Sequence, residues 1–475
     1  MELCPAGILC LAIGALITLR RKDFFFNMVV FAAVLQIFFG KGFIIKIGES
    51  VLALENLPFL ILAAYSITNF KFDMAKQTQK NMLALLCCYC LSIILLVIFP
   101  SDAWVATGNV QWDDIIFNGV KPLHPTINSY VIQTTIKFIS CLFIYLFIYN
   151  YWKTSDYKKF ISKLSHIANY FLILGLVEFA IKNYFGLNET WGDLCRAFFG
   201  DAKNTVYAGR LRGFFYESNL FTREASHYAY SLFCVAIIKF ADNIVNNRNK
   251  KIDNWIFLCF VLMLLSTSFL SVSTITTFIL VFISYRWGVL RPITMKAEMI
   301  VLGILILALF LSSFALSFSE NNFIGNRLNI LINNFSAYFT FDISFNNIGT
   351  DGDSSTFIRI LSIMQTFKLF LERPFFGYSL GTLTSHGSAA TFLSHIGVVG
   401  FVCWLNYYML KNPLFKEIKP CILPFFVGMM SYLVCNFFGG ATGTSSFYLM
   451  MPLVFSISFC FIYQKHENLN SNNLL

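Results

Sequence analysis

Residues Asn81–Phe99 read NMLALLCCYCLSIILLVIF. The run carries no charge, and a helix of about 20 apolar residues crosses a bilayer. It is therefore read as a membrane span rather than a core helix. Working outward, runs of the same kind recur near 3–19, 24–40, 51–68, 130–151, 167–183, 225–241, 254–270, 272–285, 298–317, 391–410, 421–437 and 447–463. The expected fold is an all-α polytopic integral membrane protein, one domain over 1–475, with about 13 transmembrane helices in a range of about 12–14. Within the pair 254–285, STSFLSVSTITT has to form the tight turn.

Composition agrees. The chain is 57% hydrophobic and 13% charged, whereas soluble domains run about 25% charged. A net charge of +10 would suggest nucleic acid for a soluble protein; here it is assigned to membrane topology, and no nucleic-acid partner is expected. Nearly all 13 cysteines fall in apolar runs, where a thiol behaves as a small hydrophobe. Cys87 and Cys90 make a CxxC pair with no second pair nearby, so no metal or redox site is read there. Cys195 stands alone in a polar loop. The first residues have an acidic rather than basic start, which predicts a retained first helix and not a cleaved signal.

Cations orient the threading. Short alternate loops hold Arg20–Lys22, Lys71, Lys76, Lys80, Lys153, Lys158, Lys159, Lys163, Lys239, Arg248, Lys250, Lys251, Arg286, Arg291, Lys296, Lys411, Lys416, Lys419 and Lys465, which is 21 of the 35. These face the cytoplasm with the C-terminus, and an odd span count puts the N-terminus outside. Two long loops, 184–224 and 318–390, then lie outside the membrane. Long loops escape the topological rule, so their cations are free for other work.

The first loop ends in GRLRGFFYESNLFTREASHYA, Gly209–Ala229. Arg210 and Arg212 can grip a phosphate bidentately, with Gly213 permitting close backbone approach. Arg223, Glu224 and His227 fall on one face of a helix starting near Glu224, which suits proton transfer; Glu217 is the other acid. A juxtamembrane salt-bridge cluster fits the spacing equally well. In the second loop, Phe357, Ile360, Leu361, Met364, Phe367 and Leu371 have helical spacing. Ser354 or Ser355 caps that helix and Pro374 stops it. It is read as an amphipathic helix on the outer interface, with Arg359, Ser362 and Thr366 on its other face. Arg373 and His386 lie in or beside the Gly/Ser/Thr-rich stretch that follows, whose backbone can approach an anion. Glu178 and Lys182, at i and i+4 within a span, are read as a mutually neutralising pair. Asp113–Asp114 alone makes a weak metal signal, and activity is expected to be metal-independent.

The pattern R-x-x-G-F-F-x-E (Arg210–Glu217) followed by EASHYA resembles the loop elements of bacterial polysaccharide polymerases, in the O-antigen polymerase and ligase superfamily. So does STFIRILSIMQTFKLFLERPFFGYSLGT with SHGSAATFLSHIGVVG: an arginine on a helix, a P-x-x-G-x-x-x-G turn, then histidine before G-x-x-G. The resemblance covers about 205–405 by motif and departs at Ala225, where the family has proline, and at His386–Gly387, where ligases have His-Asn. It implies a GT-C-like fold and a bacterial plasma-membrane glycosyltransferase without cofactors. The implied substrates are undecaprenyl-pyrophosphate-linked glycans as donor and acceptor, with a chain-length regulator as protein partner. It implies catalysis by Glu224 or Glu217 with His227 and His386, and pyrophosphate binding by Arg210, Arg212, Arg223, Arg359 and Arg373. The ligase differs only in its acceptor, lipid A core. A flippase for the same lipid is disfavoured, because it would carry its cations within the spans.

Overall fold

The computed structural model describes residues 2–20, 23–39, 43–47, 50–54, 56–69, 76–101, 106, 124–200, 208–209, 211–212, 215–222, 225–246, 252–266, 365–383 and 388–410, with single positions at 271, 274–275, 277–279, 282 and 362. The expected spans at 298–317, 421–437 and 447–463 lie outside the described residues.

Helices dominate. They are α1 (Pro5–Leu19), α2 (Phe24–Phe38), α3 (Asn56–Asn69), α4 (Gln77–Ile98), α5 (Ser129–Tyr151), α6 (Thr154–Asn183), α7 (Asn188–Phe199), α8 (Ala225–Val245), α9 (Asn254–Leu265) and α10 (Ser388–Leu405), the last running into a π-helical turn at Asn406–Leu410. Gln77–Ile98, Ser129–Tyr151, Ser155–Asn183 and His227–Val245 are each long and apolar enough to cross a membrane. Starts follow capping chemistry: Asn128 accepts from the N–H groups of Tyr130 and Val131, and Asp253 from that of Ile256. The helix expected over 254–270 ends earlier: Ser266 closes α9 by donating its hydroxyl to the Met263 carbonyl, and residues 271, 274 and 275 are helical.

The first helix-forming run also has strand neighbours. Strand β1 (Glu2–Leu3) pairs with β2 (Phe43–Ile47), which pairs with β3 (Ser50–Ala53), all antiparallel. Thus the expected span at 51–68 begins as strand and becomes helix only at Asn56. A second hairpin joins β4 (Leu211–Arg212) to β5 (Phe215–Tyr216). The region 184–224, expected as loop, contains α7. That helix buries Cys195 and Phe199 in an apolar cluster with Cys4, Cys10, Phe43 and Leu54. Burial pushes the Cys195 thiol up to about 12, so the one cysteine expected in a polar loop is an inert packing group.

Helix α8 is the central element: its residues from Leu232 to Ile238 are all buried, packed against α2, α6 and α9. The π turn after α10 is stitched to α4 and α5. Tyr145 donates to the Tyr408 carbonyl at 2.9 Å, Tyr407 to the Leu142 carbonyl at 2.6 Å, and Asn81 to the Asn406 carbonyl at 3.3 Å.

Contacts sort the loops into two groups. Lys76 meets Asn150, Lys163 meets Asn27, and Asn246 and Asp242 meet Ser162. These belong to the lysine-bearing segments. At the other helix ends, β1 lies on β2, Phe43 lies on Phe199 and Gly200, and Ser101 meets Tyr378. Lys239 does not fit the topological role given to it. It is buried, bonded to Asn169 and placed over the Trp255 ring at 5.3 Å, because it lies within α8 and not in the loop that follows.

Candidate functional site

The stretch 209–222 is gripped by side chains from the end of α6 and the start of α7. Asn188 brackets Gly209, accepting from its N–H at 2.9 Å and donating to its carbonyl at 3.0 Å. Asn183 does the same to Tyr216, at 2.6 and 3.2 Å. Each side-chain amide imitates the backbone of a neighbouring strand, so the β4–β5 hairpin is clamped on both flanks. Gly209 approaches the Glu217 carbonyl so closely that a Cβ there would collide with it.

Below the clamps sits the intramembrane pair. Lys182 Nζ lies 2.6 Å from Glu178 Oε1, and both side chains are fully buried. The pairing expected from i,i+4 spacing is present, and it includes the loop. Glu178 accepts from the N–H of Asn219 at 3.2 Å and from that of Leu220 at 2.9 Å to each carboxylate oxygen. Lys182 donates to Asn219 Oδ1 at 2.9 Å and to the Glu217 carbonyl at 3.5 Å. A buried charge is tolerated only when it is paired and its remaining bonding capacity is used; the loop backbone meets that requirement. Leu220 stands at φ 44°, and this left-handed turn directs the chain toward α8.

Glu217 is buried at the base of the hairpin, and His227 is half-buried in the first turn of α8. Arg212 lies on β4, opposite Phe215. Arg210, Arg223, Glu224, Arg359 and His386 lie outside the described residues, as do Asp113 and Asp114.

The second motif region, 365–410, is held differently. Helical residues 365–372 turn Phe367 and Leu371 outward and bury Thr366 and Leu369, and Ser362 is buried as well. Ser362 and Thr366, from the polar side of the expected amphipathic helix, therefore pack inward, with Ser394 donating to the Thr366 carbonyl at 2.6 Å. Helix α10 breaks at Gly397, φ 64° and ψ −176°. The freed backbone pairs with the turn 374–379: Tyr378 N–H donates to the Ser394 carbonyl and Ser379 N–H to that of His395, both at 2.8 Å. In return Val398 and Val399 donate to the carbonyls of Pro374 and Phe375, at 2.8 and 3.1 Å. Gly377 and Gly381 of the P-x-x-G-x-x-x-G turn also have positive φ, 66° and 82°. The glycine spacing is thus a backbone requirement.

Arg373 caps the end of α4 by donating to the Leu95 and Phe99 carbonyls, and its guanidinium lies 4.4 Å from the centre of the Tyr378 ring. These contacts give it a structural task beside the anion-binding one expected. Tyr378 donates to Glu372 at 2.6 Å. Burial, and then the Glu372 bond, push the phenol up to about 12. His395 is the histidine before G-x-x-G, to which the sequence reading gives no role. It is fully buried, its Nε2 is 3.1 Å from the Leu383 carbonyl, and its Nδ1 has no partner. The available signal was a second histidine two residues before the helix-breaking glycine. Cys88 and Cys403, from α4 and α10, bring their sulfurs to 3.6 Å, a contact that no local sequence pattern announces.

Among the described residues, no three His, Cys, Asp or Glu side chains gather closely enough to hold a metal ion. A cavity of about 550 Å³ lies between α1 and α2. Its walls are apolar apart from Arg20 and Asn27, and it holds no acid–base pair. No family model matches the chain, and no curated protein sequence is similar to it.

Proposed function

We propose that the chain is a membrane glycosyltransferase polymerising undecaprenyl-pyrophosphate-linked oligosaccharide repeats into surface polysaccharide, O-antigen or capsule. The reaction runs on the outer face of a bacterial plasma membrane, with the C-terminus in the cytoplasm. In this reading the fold is GT-C-like, about 13 helices cross the bilayer, and a chain-length regulator is a protein partner. The observation that carries the proposal is the clamped hairpin: an arginine-glycine stretch pinned at Tyr216 and Leu220 by polar groups of a membrane helix and at Gly209 by Asn188 of α7. A loop whose charges only kept it soluble would not need anchoring by a buried ion pair.

The chemistry assigned to the residues follows. The acceptor hydroxyl oxygen attacks the anomeric carbon of the donor sugar, and the bond from that carbon to the pyrophosphate oxygen breaks. The lipid pyrophosphate leaves with the bonding pair. Arg210 and Arg212, with Arg223 and Arg359, neutralise the charge it gains. Glu224 or Glu217, helped by His227 or His386, accepts the hydroxyl proton.

Deletion of the gene, followed by sizing of the surface polysaccharide, tests the assignment. Chains one repeat long are expected. Long but unattached chains would instead make the protein a ligase, and loss of all chains with an accumulated inner intermediate would make it a flippase. At residue level, Glu224→Gln is expected to lower polymerisation by about 10²–10⁴-fold, and Arg210→Lys or Arg212→Lys to shorten chains while keeping the charge. Full-length polymer from all of them would remove the site from this stretch.

A further inference from the structure

We infer that the buried Glu178–Lys182 pair is the positioning device of the 209–222 stretch. It fixes the path by which the hairpin and Glu217 are presented and by which the chain turns into α8. What the loop does rests on the polymerase reading; that the pair holds it does not.

The bonding of the carboxylate carries the argument. Neutralising Lys182 takes one contact, to Glu178 Oε1. The other three contacts to Glu178 come from loop amides, at Asn219 and twice at Leu220. Lys182 likewise divides its donors between its partner and the loop, reaching Asn219 Oδ1 and the Glu217 carbonyl. One residue further along α6, Asn183 takes hold of Tyr216. The last turns of one membrane helix thus fix Tyr216, Glu217, Asn219 and Leu220 in succession. Leu220 sits in a left-handed conformation, φ 44°, which a side-chain-bearing residue keeps only when its surroundings over-determine it. The bonds from its N–H to the two carboxylate oxygens supply that constraint.

A pair present only for charge neutrality could be replaced by neutral residues without consequence for the loop, and this separates the two roles. The double variant Glu178→Gln/Lys182→Met removes both charges and leaves no lone buried ion. Glu178→Asp keeps the charge within reach of flexible Lys182 but withdraws the carboxylate from Leu220 by one methylene. Hydrogen–deuterium exchange of the purified full chain in lipid nanodiscs is read over residues 215–222, beside polymer length in cells. Both variants are expected to insert normally and to exchange about ten- to a hundredfold faster at Asn219 and Leu220. Polymerisation rate should fall with little change in the acceptor concentration needed for half-saturation. Wild-type exchange in either inserted variant overturns the inference, and Glu178→Asp serves alone if the double variant does not insert. Faster exchange with normal polymer length upholds the positioning role and removes the polymerase assignment of the loop instead.

Discussion

The stretches 209–222 and 374–383 both carry glycine-punctuated motifs, yet they are held by opposite means. The first is gripped by side chains: Glu178, Lys182, Asn183 and Asn188 each bond to its backbone. The second is gripped by backbone, through four main-chain hydrogen bonds to a helix opened at Gly397. Every buried N–H and C=O must find a partner, and the two regions are alternative answers. Side-chain clamps leave the membrane helix intact and place the demand on a few polar residues. A backbone clamp spends the continuity of the helix and places the demand on glycines. The two regions should therefore fail under different substitutions.

Gly397→Val attacks the backbone clamp and has the largest expected effect. Its φ of 64° disfavours any side chain, and a Cβ would run into Phe375. The expected loss is on the order of 4 kcal/mol or more, seen as failure to accumulate or a collapsed melting temperature in detergent. A stable Gly397→Val protein would show that the break in α10 is not fixed by that residue. The corresponding change in the side-chain clamp is Asn188→Ala, which strands the buried N–H and C=O of Gly209. A smaller loss, about 2–3 kcal/mol, is expected there, with faster proteolysis after α7 while α8 and α9 stay protected. Equal damage throughout the protein would erase the distinction between a local clamp and a fold-wide one.

The smallest effect concerns pH. The Tyr378 phenol is held up to about 12 by burial and by its bond to Glu372. The folded chain thus keeps a proton that the unfolded chain releases near the ordinary tyrosine value of about 10. The contribution is intact below pH about 10 and is lost as pH rises through about 12. Tyr378→Phe should flatten that alkaline limb of a melting-temperature profile and leave neutral pH almost unchanged. An unaltered limb would place the titration elsewhere.

Much of the architecture was legible because hydrophobicity is local. The run at Asn81–Phe99 announces α4, whose observed range is Gln77–Ile98. The Glu178–Lys182 pairing follows from helical spacing alone, and the glycines at 377 and 381 mark the turn they form, whereas the break at Gly397 interrupts a run, 391–410, that reads as one continuous helix. Strands β1 and β2 were hidden because Leu3 and Ile45 meet only through the fold. Helix α7 was hidden within a polar, charged stretch whose amphipathic face becomes apparent only against Cys4 and Phe43.

By itself, then, the sequence determined that this is a helical membrane protein, where several of its spans lie, and which two regions concentrate polar chemistry. It could not determine what holds those regions. Glu178 and Leu220 are 42 residues apart, and Val399 bonds to Phe375 across a turn and a helix although no local pattern joins them. Periodicity reports which face of a helix is apolar. It carries no information on which loop amide will meet a buried carboxylate, because that partner is chosen by packing of distant segments.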